Sequence, residues 1–256
     1  MSDTTVNQGW FTSLANPTRF LSLSGRILPF LSAAAVLTLA VGLYMSFAAP
    51  EDYQQGITVR IMFIHVPAAW LAMMCYTVMA ISSIGTLVWR HPLADVAAKS
   101  ALPIGAAFTF LSLLTGSLWG RPMWGTWWVW DARLTSELIL LFLYLGIMAL
   151  DNAIEDRRTA ARAAAVLTLI GVVNIPIIHY SVEWWSTLHQ GPTVTKFDAP
   201  SIHVDMLIPL LVMAIAFTTF YLAAVLARVR SGILAYDRNT SWVRELVGGA
   251  RGNAHG

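Results

Sequence analysis

Long apolar runs separated by short polar stretches dominate the chain. Six runs are each close to the roughly 20 residues that a helix needs to cross about 30 Å of hydrocarbon. They cover residues 27–49, 64–89, 101–118, 132–150, 163–180 and 206–228. No water at that depth satisfies backbone hydrogen bonds, and no series of alternating ten-residue strands is visible, so the runs predict helices. The expected fold is all-α: a polytopic membrane protein with six transmembrane helices.

Composition supports the membrane class. Of the 256 residues, 57% are hydrophobic and only 12% are charged, which is about half of the roughly 25% usual in soluble domains. A water-soluble fold of this size could not cover its surface with so few charges. The formal net charge of +2 is small and scattered and does not indicate nucleic-acid binding. The single cysteine, Cys75, lies inside an apolar run, so neither an internal disulfide nor a cysteine metal cluster is available.

The first apolar run resembles a secretory signal peptide in one respect, because Ser46-Phe47-Ala48 looks like a small-residue cleavage site. Its 23 residues exceed the roughly 7–15 of a signal h-region. We therefore interpret the run as a spanning helix.

Basic residues are distributed unequally between the two sides that six spans define. Twelve of the 16 lysines and arginines fall on one side. The other side holds Arg60, Arg121, Arg133 and Lys196. The positive-inside rule therefore places both termini in the cytoplasm. Residues 1–230 form the expected six-helix membrane domain, in contact with lipid, and residues 231–256 form a polar cytoplasmic tail.

The most unusual segment is 119–131, on the outer side between the third and fourth runs. Five of the 11 tryptophans occur there within 12 residues: Trp119, Trp124, Trp127, Trp128 and Trp130. If a helix follows Pro122, spacings of three and four residues define one face of it. That face would carry Trp124, Trp127, Trp128 and Asp131. Such a platform, approached closely at Gly125, would stack on a large planar apolar ligand such as a porphyrin or a quinone. The alternative is an interfacial aromatic belt, which is common in membrane proteins.

Four of the six histidines lie at or near the outer face: His65, His179, His189 and His203. A neutral imidazole is a good iron ligand, and two histidines can hold a haem from both faces. The residues alone do not decide which two would ligate, and Met62 and Met123 are further candidate ligands. The alternative is that each histidine is an interfacial polar residue satisfied by water or by the backbone.

Three outer cations flank these features. Arg60, Arg121 and Arg133 are candidates to hold haem propionates, because a guanidinium binds a carboxylate through two charge-assisted hydrogen bonds. A simple headgroup contact is an equally good interpretation of each one singly. Glu137, one turn into the fourth run, is an expensive group in a membrane and is expected to be functional or paired, for instance with Arg133.

The segment Trp124-Gly-Thr-Trp-Trp-Val-Trp-Asp131 resembles the tryptophan-rich WWD motif of haem-handling membrane proteins. Within that superfamily, the chain is most similar to the CcmC family of bacterial system I cytochrome c maturation. The similarity extends to Tyr53-Gln-Gln-Gly, His65-Val-Pro-Ala-Ala, the stretch 171–185 and Thr187-Leu-His-Gln-Gly191, and covers roughly residues 18 to 192. This combination of motifs, the length and the six spans favour CcmC over larger haem lyases that share the WWD motif.

The resemblance implies a set of functional residues. His65 and His189 would be the axial ligands of the iron in haem b. The surface for haem and partner would consist of Trp119, Trp124, Gly125, Trp127, Trp128, Trp130 and Asp131. His179 also matches the family pattern, but no ligand role is assigned to it. No catalytic residue is implied.

The resemblance also implies a function, a location and partners. In this family, haem is presented at the periplasmic face of the bacterial inner membrane to the haem chaperone CcmE. The ABC transporter subunits CcmA and CcmB and the small membrane protein CcmD work with it. We expect haem handling and transfer rather than enzymatic turnover, with at most assistance to the covalent attachment of haem to the chaperone.

Two other functions stay open on the sequence. A transmembrane haem permease would need a polar path, for which the spans offer only scattered groups such as Ser112, Glu137 and Asn174. A b-type haem electron-transfer subunit would bury its ligands within the helices, where His179 is a candidate. His65 and His189 are expected to lie nearer the surface.

Overall fold

The described fold consists of helices joined by short non-helical segments. The computed structural model describes residues 16–189, 191, 194 and 199–245. The α-helices bounded within these ranges are α1 (Pro17–Ala48), α2 (Met62–Val88), α3 (Pro92–Trp124), α4 (Ala132–Ala153), α5 (Arg157–Gly171), α6 (Asn174–Trp184) and α7 (Val204–Tyr236), and a 3-10 helix, Ile57–Ile61, leads into α2. Residues 241–245, in the predicted tail, are also helical. Lys196 and the end of the predicted tail, 246–256, lie outside the described residues.

Six units of the described chain are long and apolar enough to cross a membrane. Five are α1, the 3-10 helix with α2, α3, α4 and α7, and the remaining unit joins α5 and α6 over Arg157–Trp184. This confirms the predicted all-α membrane protein with six spanning helices. The helices are longer than the apolar runs, because their polar ends are helical too. The third run was expected at 101–118, but α3 begins at Pro92 and ends at Trp124.

The fifth span is broken between α5 and α6. Pro176 has no backbone N–H, and in a continuous helix its ring would clash with the carbonyl group of Val172. The N–H of Ile175 instead donates to the carbonyl oxygen of Val172 at 3.0 Å, which is a tighter turn. The side chain of Asn174 donates to the carbonyl oxygen of Ser136 on α4 at 2.9 Å. A buried amide therefore fixes the start of α6 against α4.

Helices α2 and α3 form the centre of the bundle, with α4, α5 and α7 packed around them. Helix α1 packs mainly against α7. Its large side chains Phe30, Tyr44 and Phe47 are exposed, as expected for a helix that faces lipid, because lipid tails are as apolar as these side chains.

Two buried tyrosines fill the middle of the bundle. Tyr76 on α2 and Tyr144 on α4 pack edge to face with ring centroids 5.3 Å apart. The Tyr144 hydroxyl donates to the carbonyl oxygen of Ala72 at 2.8 Å. Glycines face both rings, because a Cβ at Gly105 would overlap Tyr144 and a Cβ at Gly171 would overlap Tyr76. Missing side chains on α3 and α5 therefore make room for the tyrosines.

The variant Gly105→Ala should reduce the free energy of unfolding by about 1–3 kcal/mol, because the added methyl group has to displace a fully buried ring. The matched control is Gly146→Ala on α4, since a Cβ there meets nothing within 4 Å and alanine favours helix. Thermal unfolding in detergent, followed by circular dichroism, measures both. Equal melting temperatures for the two variants would contradict this packing.

Candidate functional site

A cavity of about 890 Å³ lies at the end of the bundle that carries the tryptophan segment. We call it the tryptophan-end cavity. Its walls come from α2, α3, α4, α6 and α7 and from the segments that follow α1 and α6. The predicted site residues that line it are His65, Trp119, Trp124, Arg133 and His189. The volume is near the upper end of the about 300–1,000 Å³ typical of small-molecule sites, so the cavity suits a large ligand.

His65 lies in the first turn of α2 and faces α3. Its Nδ1 is 3.0 Å from the carbonyl oxygen of Ser112 and 3.1 Å from Oγ1 of Thr115. Because a carbonyl group only accepts, Nδ1 carries the proton and Nε2 carries the lone pair. The ring meets Trp119 edge to face at 5.7 Å, and Gly116 leaves room for it, since a Cβ there would lie 3.0 Å from Cε1 of His65. His65 is therefore oriented as a ligand through Nε2.

His189 lies in the segment after α6, and its ring is held in a similar way. Its Nδ1 is 3.1 Å from Oδ2 of Asp131, so the proton is on Nδ1 and the lone pair is again on Nε2. The backbone N–H of His189 donates to Oγ1 of Thr187 at 3.1 Å, and the ring meets Trp124 edge to face at 4.8 Å. Burial lowers the pKa of His189 below its ordinary value, although the Asp131 carboxylate raises it. At neutral pH the imidazole is therefore in the uncharged form that binds metals.

Asp131 connects two elements of the site. Its Oδ1 accepts the N–H of Leu134 at 2.8 Å and so caps the N-terminus of α4. Its Oδ2 accepts from His189, and the side chain is only 6% exposed. A carboxylate behind a histidine is the arrangement that orients metal-ligating imidazoles and makes them more basic. The sequence placed Asp131 in the surface for haem and partner without saying how it acts there, and these contacts suggest that it orients His189.

The predicted helical face in the tryptophan segment was wrong. Helix α3 continues through Pro122 and ends at Trp124, and Gly125 has φ +76°. Residues 126–131 are not helical, and α4 begins after Asp131. Glycine adopts the left-handed conformation at a helix C-terminus without steric cost. This stop signal outweighs the spacing of three and four residues that favoured a helix.

The five tryptophans consequently divide into two groups. Trp119 and Trp124, both on α3, line the cavity, and Nε1 of Trp119 donates to Oε1 of Gln55 at 2.8 Å. The other three, Trp127, Trp128 and Trp130, do not line it. Of these, Trp128 and Trp130 pack edge to face at 5.4 Å, and Trp130 is 76% exposed. The non-helical half of the segment therefore presents an exposed aromatic surface next to the cavity.

Of the three candidate arginines, Arg133 lines the cavity. Its Nη1 donates to the carbonyl oxygen of Ile178 at 3.3 Å. No carboxylate of the described residues lies within 4 Å of it. The expected pair with Glu137 is therefore not formed; Glu137 is buried in α4, and its Oε1 has no hydrogen-bond partner in the described chain. Because a partly buried cation without a counter-ion is costly, Arg133 is well placed to receive an anionic group of a ligand.

The other two arginines are engaged elsewhere. Arg60 donates through Nε and Nη2 to the carbonyl oxygen of Ala49, at 3.3 and 2.9 Å, and so caps α1. Arg121 donates to the carbonyl oxygen of Gly125 and lies over the ring of Trp127 at 5.8 Å. Neither lines the cavity. Their positions fit support of the tryptophan segment better than contact with a ligand in the cavity.

His179 and His203 also line the cavity. The side chain of His203 is 73% exposed, and its Nδ1 lies 3.3 Å from the backbone N and 3.4 Å from Oδ2 of Asp205, so these contacts do not fix its tautomer. His179 packs against Tyr180 at 4.7 Å, and its ring nitrogens make no hydrogen bond to the described residues. The hydrogen bonds thus distinguish His65 and His189 as the two rings whose Nε2 is free and oriented. Within the described residues, no group of three His, Cys, Asp or Glu side chains could hold a bare metal ion, but a haem iron needs only two axial ligands.

Gln55, Trp70 and Thr115 are among the cavity or supporting residues that were not selected from the sequence. Gln55 lies in a stretch that carried the family resemblance, so a signal was present there. A hydroxyl inside a spanning helix, as in Thr115, indicates a hydrogen bond between helices but does not name its partner. Trp70 gives no distinguishing signal within its apolar run.

Comparison with known proteins identifies the family of the chain. The family model for CcmC, described as heme exporter protein C, matches residues 10–244. The chain belongs to the CcmC family. It is 66% identical over 221 residues to heme exporter protein C of Bradyrhizobium diazoefficiens, covering 86% of this chain and 84% of that protein. It is 51% identical over 235 residues to the Escherichia coli K12 protein of the same name, covering 91% and 95%.

A mitochondrial relative also matches. The putative cytochrome c biosynthesis ccmC-like mitochondrial protein of Marchantia polymorpha is 44% identical over 216 residues, covering 84% of this chain and 91% of that protein. The resemblance found in the sequence motifs is thereby confirmed at the level of the family. The family match also extends past residue 192 and includes α7, which the motifs did not reach.

Proposed function

We propose that this CcmC-family protein binds haem b in the tryptophan-end cavity and passes it to the periplasmic haem chaperone CcmE for c-type cytochrome biogenesis. The name heme exporter protein C, carried by its relatives, supports haem as the cargo. The observation that carries the proposal is the pair of histidines, His65 and His189, each held through Nδ1 at one large cavity.

The two imidazoles present Nε2 as axial ligands for the iron. They differ in strength, because His65 donates to neutral oxygens whereas His189 donates to the carboxylate of Asp131. A carboxylate acceptor makes the ring more electron-rich, so His189 is the more basic ligand. Trp119 and Trp124 each hold one of the two rings in position.

Arg133 and the exposed tryptophans supply the remaining parts of a loading site. Arg133 binds a propionate, since it lines the cavity and lacks a carboxylate partner in the described chain. Trp127 and Trp130 are exposed next to the cavity and offer apolar area to a partner, and Trp128 packs against Trp130. The chaperone therefore meets haem at an open edge of the bundle rather than inside its core.

We place the protein in the bacterial inner membrane with the tryptophan end in the periplasm, because most basic residues lie at the opposite end. Its partners are CcmE, the ABC transporter subunits CcmA and CcmB, and the small membrane protein CcmD. The packed tyrosines Tyr76 and Tyr144 in the middle of the bundle oppose a haem-wide path through this chain alone.

Haem titration of the purified protein in lipid nanodiscs tests the proposal. We expect one haem per chain with the low-spin absorption and EPR signals of two histidine ligands, followed by transfer to a soluble CcmE domain. In liposomes, the protein alone should not accumulate haem inside, whereas a permease would. Binding without a low-spin species, or uptake by the protein alone, would overturn the loading site.

A further inference from the structure

A second cavity, of about 910 Å³, lies at the opposite end of the bundle, between the C-terminal ends of α2 and α7 and the N-terminal ends of α3 and α5. We call it the basic-end cavity. It is lined by one carboxylate, Asp95, and by six cations. The cations are Arg90, Lys99, Arg157, Arg158, Arg162 and Arg228.

Most of this positive charge has no counter-ion. Lys99 is paired with Asp95 at 3.3 Å and with Asp151 at 2.9 Å. None of the five arginines has a carboxylate within 4 Å among the residues that the structure describes. Because concave surfaces of one sign concentrate counter-ions, the cavity attracts anions.

Four of these arginines occupy positions that are locally unfavourable, either for the charge or for the backbone conformation. Arg157, Arg158 and Arg162 lie in the first turns of α5, where the helix dipole disfavours cations. Arg90 has φ +51° in the connection between α2 and α3, a left-handed conformation that costs a residue with a Cβ about 1–2 kcal/mol. Helix and turn stability therefore do not explain the arginines. The positive-inside rule accounts for their side of the membrane, and a ligand would account for their convergence on one cavity.

The uncharged part of the lining combines a small apolar wall with the polar side chains of Thr86, His91, Ser100, Ser231 and Tyr236. Val96, Ala161, Ala227 and Ala235 contribute to the walls beside the guanidinium groups. A free phosphate or an acidic peptide would leave this surface unused, but a molecule with an anionic head and a hydrocarbon chain uses both parts. The cavity also lies at the end of helices long enough to cross a membrane, which is the level of lipid headgroups.

We propose that the basic-end cavity binds an anionic phospholipid, with its phosphate on the arginines and an acyl chain along the apolar wall. Guanidinium groups bind phosphate oxygens through paired charge-assisted hydrogen bonds. Lipid bound there would tie α5 to α2, α3 and α7 at the end away from haem. The site is independent of haem binding and is not needed for it.

Native mass spectrometry of the delipidated full-length protein, titrated with phosphatidylglycerol or phosphatidylcholine, tests the site. We expect phosphatidylglycerol to bind at least about tenfold more tightly. The variant Arg90→Gln/Arg158→Gln/Arg162→Gln should weaken phosphatidylglycerol binding about a hundredfold, at about fivefold for each arginine near the headgroup. The matched control Arg19→Gln/Arg26→Gln/Arg238→Gln removes the same charge from arginines outside the cavity lining and should change binding less than threefold.

Additional variants and a comparison with inorganic phosphate separate lipid binding from misfolding and from the binding of a small anion. The lysine variant Arg90→Lys/Arg158→Lys/Arg162→Lys keeps the charge and should retain binding within about tenfold. If the triple glutamine variant does not fold, the single variant Arg158→Gln replaces it and should weaken phosphatidylglycerol binding about fivefold. Protection against heating by inorganic phosphate equal to that by phosphatidylglycerol would indicate a small-anion site. Equal binding of the two lipids, or an equal loss in the control variant, would also overturn the proposal.

Discussion

The double variant His65→Ala/His189→Ala should lose low-spin haem altogether, and each single variant should bind haem more weakly, as a high-spin species with one axial ligand. Changes behind a metal ligand typically cost about 10–100-fold in affinity, so the loss of a ligand itself should cost more. Both rings are held through Nδ1 at the same cavity, so no other described pair is oriented to replace them. Absorption and EPR spectra during haem titration measure the effect.

His203→Ala is the matched control for the histidine variants. His203 lines the same cavity, but its side chain is 73% exposed and contacts only Asp205, two residues further along the chain, so the protein does not hold its ring in one orientation. We expect its loss to change haem affinity less than about twofold. Added imidazole should restore a low-spin spectrum to His189→Gly. An unaltered spectrum in the double variant, or an equal loss in His203→Ala, would contradict the assignment.

Asp131→Asn should weaken haem binding about 10–100-fold at neutral pH while the protein stays folded. Asparagine still caps α4, because it accepts the N–H of Leu134 as well as aspartate does. It also still accepts a hydrogen bond from His189, so the substitution removes mainly the negative charge behind the ring. Asp156→Asn is the matched control, since Asp156 caps α5 in the same way, through the N–H of Thr159 at 2.8 Å, away from the cavity.

The pH dependence separates this electrostatic role of Asp131 from a structural one. Burial holds the pKa of His189 below its ordinary value, so haem affinity should be constant above about pH 6.5. Below the actual pKa, affinity should fall about tenfold per pH unit, because the protonated ring cannot ligate. The Asp131 carboxylate raises that pKa, so Asp131→Asn should move the onset to still lower pH even though affinity at pH 7 falls. A lower affinity with an unchanged onset would indicate a structural role alone.

The six spans were predictable from two facts. Inside lipid the backbone must satisfy its own hydrogen bonds, which favours a helix, and a helix needs about 20 mostly apolar residues to cross the hydrocarbon. The break between α5 and α6 was not predicted, because an average over the run hides the effect of Pro176. The prediction of a helical face in the tryptophan segment was wrong for a related reason, since the conformation of a single residue decided the outcome. Its side chains repeat with helical spacing, but the backbone at Gly125 adopts φ +76° and ends α3 there.

The site itself depends on contacts between residues far apart in sequence. His65 meets Ser112 on a different helix, and His189 meets Asp131 across 58 positions. Residue types alone left four histidines as candidates, and only the family resemblance selected two of them. The hydrogen bonds that fix the tautomers of His65 and His189 join residues distant in sequence. They give the structural reason for preferring these two histidines, and the sequence alone does not show them.

The two proposed iron ligands are anchored to different kinds of element, one in a helix and one in a segment between helices. His65 is packed between α2 and α3, whereas His189 stands five residues beyond the end of α6 at Trp184 and reaches the helical frame through Asp131. We therefore expect unloading to occur on the His189 side: once a ligand from the chaperone has replaced Nε2 of His189 on the iron, breaking one charge-assisted hydrogen bond, worth about 1.5–3 kcal/mol, would let the His189 segment move away from that face of the porphyrin. The membrane-embedded helices stay where they are, and delivery needs no reshaping of the bilayer around them.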